Sequence, residues 1–463
     1  MFTLQARRAR WETHTEKLHI AVAPHTHLPP EILAEVFLHC LHHHSLDGRL
    51  RILRRSPCPL PAPWVLGHVC SRWRRIALGE KRLWNSIHYE GNSRGHMFLL
   101  NEAFKYSGQS TLQLEARETG DKFYKPFLRE VVFPQSHRIT SLLLDVAGAT
   151  FRAFLLLPSS LFGELECIKL HIPSSYGHFS VPQAPVTVFQ GAPRLRRVTI
   201  PLLHNHSPLD LTLPWGQLTY LAFTPGDIEL TDSFKVLSLC TNLCECHLCL
   251  FTDSEPPITV FHPASVQLPH LRKLGLNMIF WGFSYADFFR PLVIPKLELF
   301  TFVLSSSSED CLNDLRETID HLSIPGLRLE LHYDGCQADD ILRLAHSLPP
   351  LTSIKAYKCF LPASTIALIG QKTCFQTLTS LEIITSLHNT RDLVEMFKAH
   401  WARARQSNNT HPGIRFATIE ATDPSEKDIS HFSQDIAVIQ KQMGVTDMKI
   451  TLRRWCSSDP WRF

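Results

Sequence analysis

Scarcity of charge is the first constraint this sequence imposes. Only 19% of its 463 residues are charged, and the formal net charge is +4. So small a surplus supplies no broad basic face of the kind that neutralises nucleic-acid phosphates. The densest basic run, Arg49 to Arg55 with Arg51 and Arg54, is short, lies beside prolines and reads as a solvated loop. Long apolar runs are also missing. None reaches the ~18–20 residues that span a bilayer. The richest stretch, Leu142 to Phe162, is interrupted by Asp145, Arg152 and Pro158. Arg7, Arg8, Arg10, Glu12, Glu16 and Lys17 crowd the first twenty residues, which does not fit a secretory leader. The expectation is a soluble protein with no nucleic-acid and no membrane partner. Thirteen cysteines, an odd number without an export signal, read as free thiols in a reducing compartment, cytoplasm and/or nucleus.

Catalytic signatures are equally scarce. There is no glycine-rich phosphate loop, no Gly-x-Ser-x-Gly elbow and no His-Glu-x-x-His, so no cofactor and no reaction are expected. The one tempting metal cluster is Cys240, Cys244, Cys246, His247 and Cys249. Closed zinc sites gather four ligands tetrahedrally, whereas these residues fall mostly on one strand-like segment. There Cys246 should point inward with Leu248, and His247 and Cys249 outward. The cysteines are expected to be core residues, and a metal- or thiol-dependent enzyme is the weaker alternative. His42-His43-His44 reads as solvated.

What is present begins near the N-terminus. Residues 28–41 read Leu-Pro-Pro-Glu-Ile-Leu-Ala-Glu-Val-Phe-Leu-His-Cys-Leu. Prolines are tolerated in a first helical turn, where amides lack intrahelical partners. From that start Ile32, Leu33, Val36, Phe37, Cys40 and Leu41 make one broad apolar stripe. A second stripe follows from Trp64, through Leu66, Val69, Cys70, Trp73, Ile76 and Ala77, and a short third segment ends in Leu83, Trp84 and Ile87. Three short helices in about 60 residues bury little surface alone, and leftover apolar side chains need a partner.

The blocks Leu28-Pro29-Pro30-Glu31-Ile32-Leu33, Val36-Phe37, Val69-Cys70-Ser71-Arg72-Trp73-Arg74-Arg75-Ile76-Ala77 and Leu83-Trp84 closely resemble the F-box in order, residue type and spacing. That resemblance implies a three-helix module that docks on the Skp adaptor of SCF-type ubiquitin ligases and, through it, on a cullin scaffold. The implied adaptor-binding residues are Leu28, Pro29, Pro30, Glu31, Ile32, Leu33, Val36, Phe37, Leu66, Val69, Cys70, Trp73, Ile76, Leu83 and Trp84. One departure is a loop insertion expected over 42–63, similar to the longer connections of many fungal members; its closure entropy is small.

Beyond the module a block recurs, often a proline and then Leu-x-x-apolar-x-apolar. It is found at Ile139-Leu142-Leu144, Leu165-Ile168-Leu170, Leu195-Val198-Ile200, Leu218-Leu221-Phe223 and Leu243-Cys246-Leu248. It continues at Leu271-Leu274-Leu276, Leu297-Phe300-Phe302, a shifted Leu327-Leu329-Leu331, Leu351-Ile354-Ala356 and Leu378-Leu381-Ile383. Its period resembles that of leucine-rich repeats, roughly 20–29 residues. Each block reads as a short strand with one buried face, and helical stretches (Leu312 to Leu322, Ile341 to Leu348) lie between blocks. The expected fold is α/β: the small helical module, then an irregular leucine-rich-repeat solenoid with a parallel sheet on its concave face.

The expected division is an N-terminal segment over 1–25, the F-box over 26–90, a connecting and N-capping region over 91–137, the array over 138–385 and a C-terminal cap over 386–463. In that last part Leu393, Phe397 and Trp401 share a helical face behind Thr390, and Arg403 to Pro412 reads as a polar linker. Specificity for an unknown target protein would lie on the outward strand positions: Arg197, Tyr220, Glu245, His247, Lys273, Asn277, Lys355, Tyr357 and Glu382, with Lys169 beside them. The leading expectation is a non-catalytic receptor subunit; the alternative is an F-box scaffold with a structural or regulatory role.

Overall fold

A computed structural model describes residues 28–44, 50–52, 62–90, 94–117, 128–146, 148–172, 186–202, 207–223, 228–251, 265–278, 285–304, 317–319, 328–334, 352–360, 366–367, 369, 378–385, 390–406, 414–421, 426–443 and 449–454, with Arg8, Trp11 and Thr15 ahead of them. The chain divides into two compact units, Met1–Leu195 with Thr212–Pro214, and Arg196–Leu211 with Trp215–Phe463.

The first unit opens with helix α1 (Pro30–His44), strand β1 (Leu50–Ile52) and helices α2 (Ala62–Val69) and α3 (Ser71–Gly79). Helix α1 starts where the sequence places its prolines, with the Leu33 amide donating to the Pro29 carbonyl at 3.1 Å. Cys70 caps α3, its Sγ accepting from the Trp73 amide at 3.4 Å. The three helices pack on one another and on a 3-10 turn at Lys81–Trp84. Leu33, Phe37, Leu66, Ala77, Leu83 and Trp84 form their shared interior. Phe37 and Trp73 meet at 4.8 Å between ring centroids, and Trp84 sits between Trp64 at 4.8 Å and Tyr106 at 4.9 Å. The Trp84 indole donates to the Ala77 carbonyl at 2.8 Å, so its polar edge is satisfied despite full burial.

The segment expected to be an inserted loop is partly structured. Helix α1 runs through His44, so the three histidines lie in its last turn. Strand β1 pairs parallel with β2 (Ser86–Glu90), placing Arg51 beside His88 in the sheet. From β2 the unit continues as α4 (Arg94–Ser107), β3 (Leu112–Arg117), short helical turns between Leu128 and Arg138, β4 (Ile139–Asp145), α5 (Gly148–Leu155) and β5 (Cys167–His171). Every pairing from β1 to β5 is parallel and joins strands consecutive in sequence. The aligned inward residues Ile87, Leu114, Leu142 and Ile168 are all fully buried. The strand array therefore begins well before residue 138, within the region expected only to connect and cap.

The second unit repeats the arrangement over β6 (Arg197–Ile200), β7 (Tyr220–Phe223), β8 (Ile228–Glu229), α6 (Leu230–Leu239), β9 (Glu245–Phe251), β10 (Val266–Gln267), β11 (Lys273–Met278), α7 (Tyr285–Phe289), β12 (Leu292–Val293), β13 (Leu299–Leu304), β14 (Arg328–Asp334), β15 (Ser353–Phe360), β16 (Ser380–Thr385), α8 (Thr390–Gln406), β17 (Phe416–Ala421), α9 (Glu426–Met443) and β18 (Lys449–Arg454). Its main sheet runs β6-β7-β9-β11-β13-β14-β15-β16-β17-β18, with β8 added to β9, while β10 and β12 pair apart from it. Parallel neighbours require a crossover at every step, and sequential addition of such units is the topology of a solenoid-like α/β fold.

Local chemistry explains the regularity. The amides of Leu165, Leu195, Leu218, Leu243, Leu271 and Leu297 each donate to the carbonyl three residues earlier, at 3.1 to 3.3 Å. Each of these leucines is buried. Pro193, Pro269 and Pro295 occupy the second position of three of these turns, where their fixed φ favours the bend. The turn aims each leucine into the core immediately before its strand starts.

The sheet also continues past residue 385. Strands β17 and β18 extend it in register, and α8 reaches Gln406, into the stretch expected to be a linker. Leu393, Phe397 and Trp401 are buried on one face of α8, and the Trp401 indole donates to the Ile414 carbonyl at 3.1 Å. Of the helix expected over Leu312 to Leu322, only 317–319 is described, and it is helical there; Ile341 to Leu348 lies outside the described residues.

Candidate functional site

Two surfaces stand out, one in each unit. On the helical module the residues expected to bind an adaptor fall into two groups. Leu33, Phe37, Leu66, Leu83 and Trp84 are buried against one another and hold the helices together. Ile32 (49% exposed), Val36 (41%), Val65 (38%) and Val69 (54%) are open to solvent. Ile32 and Val36 are four apart on α1, and Val65 and Val69 four apart on α2, so each pair forms a row along its helix. The two helices pack together. Pro29, Pro30, Glu31 and Cys70 are exposed, whereas Leu28, Trp73 and Ile76 are half-buried. Only the exposed group is therefore open to contact from solvent, and the buried group holds it in place.

Polar contacts fix that shape. The Arg72 guanidinium donates to the Leu28 carbonyl, tying the start of α1 to α3. Arg74 Nε donates to the Gly67 carbonyl at 2.8 Å, satisfying an acceptor in the last turn of α2. Arg82 bridges Glu35 on α1 at 2.8 Å and Glu80 at 2.9 Å. The Arg82 guanidinium holds the Glu80 carboxyl below its ordinary range.

The second surface lies on the main sheet of the second unit. Register aligns Arg197, Tyr220, Glu245, Lys273, Leu299 and Arg328 in one row across six strands. The next row places Thr199, Ala222, His247, Gly275 and Thr301 side by side. Five of the residues expected from sequence thus meet. The Arg197 guanidinium lies 4.2 Å from the Tyr220 ring centroid, and the Tyr220 and His247 rings are 5.8 Å apart. His247 Nε2 pairs with Glu245 Oε1 at 3.0 Å, and Lys273 Nζ approaches Glu245 Oε2 at 3.4 Å. His247 first, then Lys273, draws the Glu245 carboxyl below its ordinary range.

Gly275 is the residue sequence reasoning missed here. A Cβ on it would stand 2.3 Å from His247 Nδ1, so only glycine lets the imidazole lie over its neighbour strand. Asn277 lies further along β11 with its Oδ1 buried and without a hydrogen-bond partner. Lys355 and Tyr357 fall on β15, but their side chains lie outside the described residues. Glu382, on β16, is half-buried and four strands away from Lys273, about 19 Å at the usual strand separation; it does not join the cluster.

The cysteine cluster behaves as the strand alternation requires. Cys246, Leu248 and Cys240 are buried, while His247 and Cys249 are half-buried on the opposite side of the strand from Cys246. Burial pushes the Cys240 thiol up to about 12 and the Cys246 thiol well above its ordinary value, so neither is poised as a thiolate. Among the described residues no group of three or more His, Cys, Asp and Glu side chains could hold a metal ion, and no described helix is long and apolar enough to cross a membrane.

Two adjacent polar rows on the first unit's sheet were also missed. His88 Nδ1 meets Glu115 Oε1 at 3.0 Å, Arg117 lies 3.4 Å from the same carboxylate, and Asp145 meets His171 at 3.0 Å. His88, Glu115 and Asp145 are buried. The signal lay in alternation: these residues occupy the outward positions of β2 to β5, and their pairing is set by register that sequence does not state.

No protein-family model matches the chain, and no curated protein does. A solved structure of a Bacteroides fragilis protein is similar over 78% of this chain and 82% of that one, at 10% identity and a TM-score of 0.28, too low to carry fold or function across.

Proposed function

We propose that this chain is a non-catalytic substrate receptor of an SCF-type ubiquitin ligase. The observation that carries the reading is the pair of exposed apolar rows, Ile32 with Val36 and Val65 with Val69, on a small helical module whose sequence resembles the F-box. Solvent-exposed aliphatic side chains on adjacent helices mark a surface that gains by being covered. In this reading the module docks on the Skp adaptor, the adaptor joins a cullin scaffold, and the sheet face of the second unit holds the target protein. Ubiquitin transfer belongs to the assembled complex. The chain supplies effective concentration and orientation and contributes no nucleophile. Such a receptor works in the cytoplasm, the nucleus or both.

The test is co-expression of the full chain with the Skp adaptor and purification through the adaptor. Intact chain should co-purify, and Ile32→Asp with Val69→Asp should be lost while remaining folded by circular dichroism, because both positions already face water. Retention of that double variant would remove the docking surface from the proposal. Co-purification of a cullin with the pair separates ligase assembly from a scaffold role.

A further inference from the structure

The sheet face of the second unit carries a charge pattern that specifies what it can hold. Consider the residue pairs entering β6, β7, β9, β11 and β13, together with Arg328 at the start of β14. These eleven positions hold five cations, Arg196, Arg197, Arg272, Lys273 and Arg328, against two anions, Glu245 and Glu298. Their surplus of three compares with +4 for all 463 residues. All five cations are exposed. Both anions are already engaged, Glu298 by Arg272 at 3.4 Å and Glu245 by Lys273 and His247. Lys273 and Arg272 thus offset the two carboxylates, and the surplus of three lies on Arg196, Arg197 and Arg328.

The cations are also spaced. Within one register row Arg197 is followed three strands later by Lys273 and two strands after that by Arg328. At about 4.8 Å per strand these steps are about 14 Å and about 10 Å, and an extended chain rises about 3.4 Å per residue. Side chains of an extended segment alternate, so its residues i, i+4 and i+8 face the sheet together, the last falling about 3 Å beyond Arg328, a gap that a long side chain spans. Between the three cations the segment passes the Tyr220 ring, backed by Arg197, and the half-buried Leu299.

We propose that this row binds an extended acidic protein segment bearing Asp or Glu at i, i+4 and i+8. The Arg197 guanidinium has the planar fork that receives a carboxylate in two parallel hydrogen bonds, Arg328 supplies a second anchor, and Lys273 a third that the segment shares with Glu245. The inference rests on reading this face as the target-binding surface. It is independent of adaptor docking, since its test uses the chain without the adaptor.

The probe is a fluorescein-labelled, twelve-residue Gly/Ser peptide with Glu at positions 2, 6 and 10, titrated with the intact full chain and followed by anisotropy at low salt. Replacing the three Glu by Gln should weaken binding about tenfold or more, and placing them at consecutive positions about fivefold, the scale of a few exposed ion pairs. Arg197→Glu and Lys273→Glu should each weaken the peptide about five- to tenfold, and Lys441→Glu on α9 should leave it unchanged. Raising the salt to about 0.5 M should abolish most of the difference, as screening of exposed charges requires. Indifference to Arg197→Glu and Lys273→Glu would overturn the proposal. Equal binding by the consecutive-acid peptide would overturn the spacing. A single-stranded oligonucleotide of equal charge that bound more tightly and displaced the peptide would overturn the choice of an acidic protein segment.

Discussion

Leu33 and Ile32 are neighbours on α1 with opposite surroundings, and replacing each by alanine separates interior from surface. Leu33 is 1% exposed in the interior shared by α1, α2, α3 and the turn at Leu83 and Trp84, whereas Ile32 is 49% exposed. Truncating a buried leucine forfeits its transfer free energy and leaves a cavity, about 2–5 kcal/mol, with about 3 kcal/mol a central value. At Ile32 roughly half the side chain is already in water, so the burial lost is about half of ~1.5–3 kcal/mol. Alanine returns some of that through its higher helix propensity, leaving a net cost under about 1 kcal/mol. A two-unit chain need not unfold in one step, so a whole-molecule melting temperature is the wrong observable. Amide hydrogen exchange over residues 28–44 and 62–84 of the full chain reads the module directly. About 3 kcal/mol corresponds to roughly 150-fold faster exchange for Leu33→Ala, against under about fivefold for Ile32→Ala. If Ile32→Ala accelerated exchange as much as Leu33→Ala, the orientation of α1, and with it the exposed row, would be refuted.

Three further outcomes are expected. Gly191→Ala places a Cβ 2.1 Å from the Ser159 carbonyl oxygen and 3.0 Å from its carbon, backbone that cannot step aside cheaply; a loss of about 3 kcal/mol or more is expected, and wild-type-like unfolding of the first unit would contradict it. Arg138 is buried and donates to Gln135, Ser107 and the Ser110 and Phe104 carbonyls, so Arg138→Met strands those acceptors and should cost about 3 kcal/mol in denaturant unfolding, where a change under about 0.5 kcal/mol would refute this bracing role. Glu245 has a carboxyl pKa lowered by folding, so its contribution is present above the ordinary carboxylate range and is lost as pH falls through the lowered folded-state value; Glu245→Gln should flatten that part of the acid unfolding profile, and an unchanged profile would contradict the pairing with His247.

How far the sequence reveals this fold depends on which contacts are local. The strand blocks are legible because their signal is short: a leucine aimed inward by a three-residue turn, then alternating apolar positions, so that Leu165, Leu218 and Leu271 are found buried where the pattern puts them. The shifted block at Leu327-Leu329-Leu331 is answered by a change of register, Phe300 pairing with Leu329 while Leu331 pairs with Ile354. The array's reach at both ends was not legible. Ile87 and Leu114 lie on strands without the full leucine block, and Ala417 replaces the usual large residue on β17; only pairing reveals them as members. The split of the helical module into buried Leu33 and Phe37 and exposed Ile32 and Val36 also escapes periodicity, because both pairs belong to one broad apolar stripe. In the sheet cluster, Arg197, Tyr220, Glu245, His247 and Lys273 follow from alternation, whereas Gly275 gains its meaning from a neighbour on another strand.

The proposed function makes the exposed aliphatic rows on α1 and α2 a docking surface for the Skp adaptor. The most direct measurement is titration of the purified full chain with purified adaptor by calorimetry, with Val36→Asp and Val69→Asp as variants. Saturable one-to-one binding, with a negative heat-capacity change from apolar burial and a loss of about tenfold or more in each variant, is the predicted result. A folded chain that gives no binding heat at any temperature and no co-migration with the adaptor would contradict it.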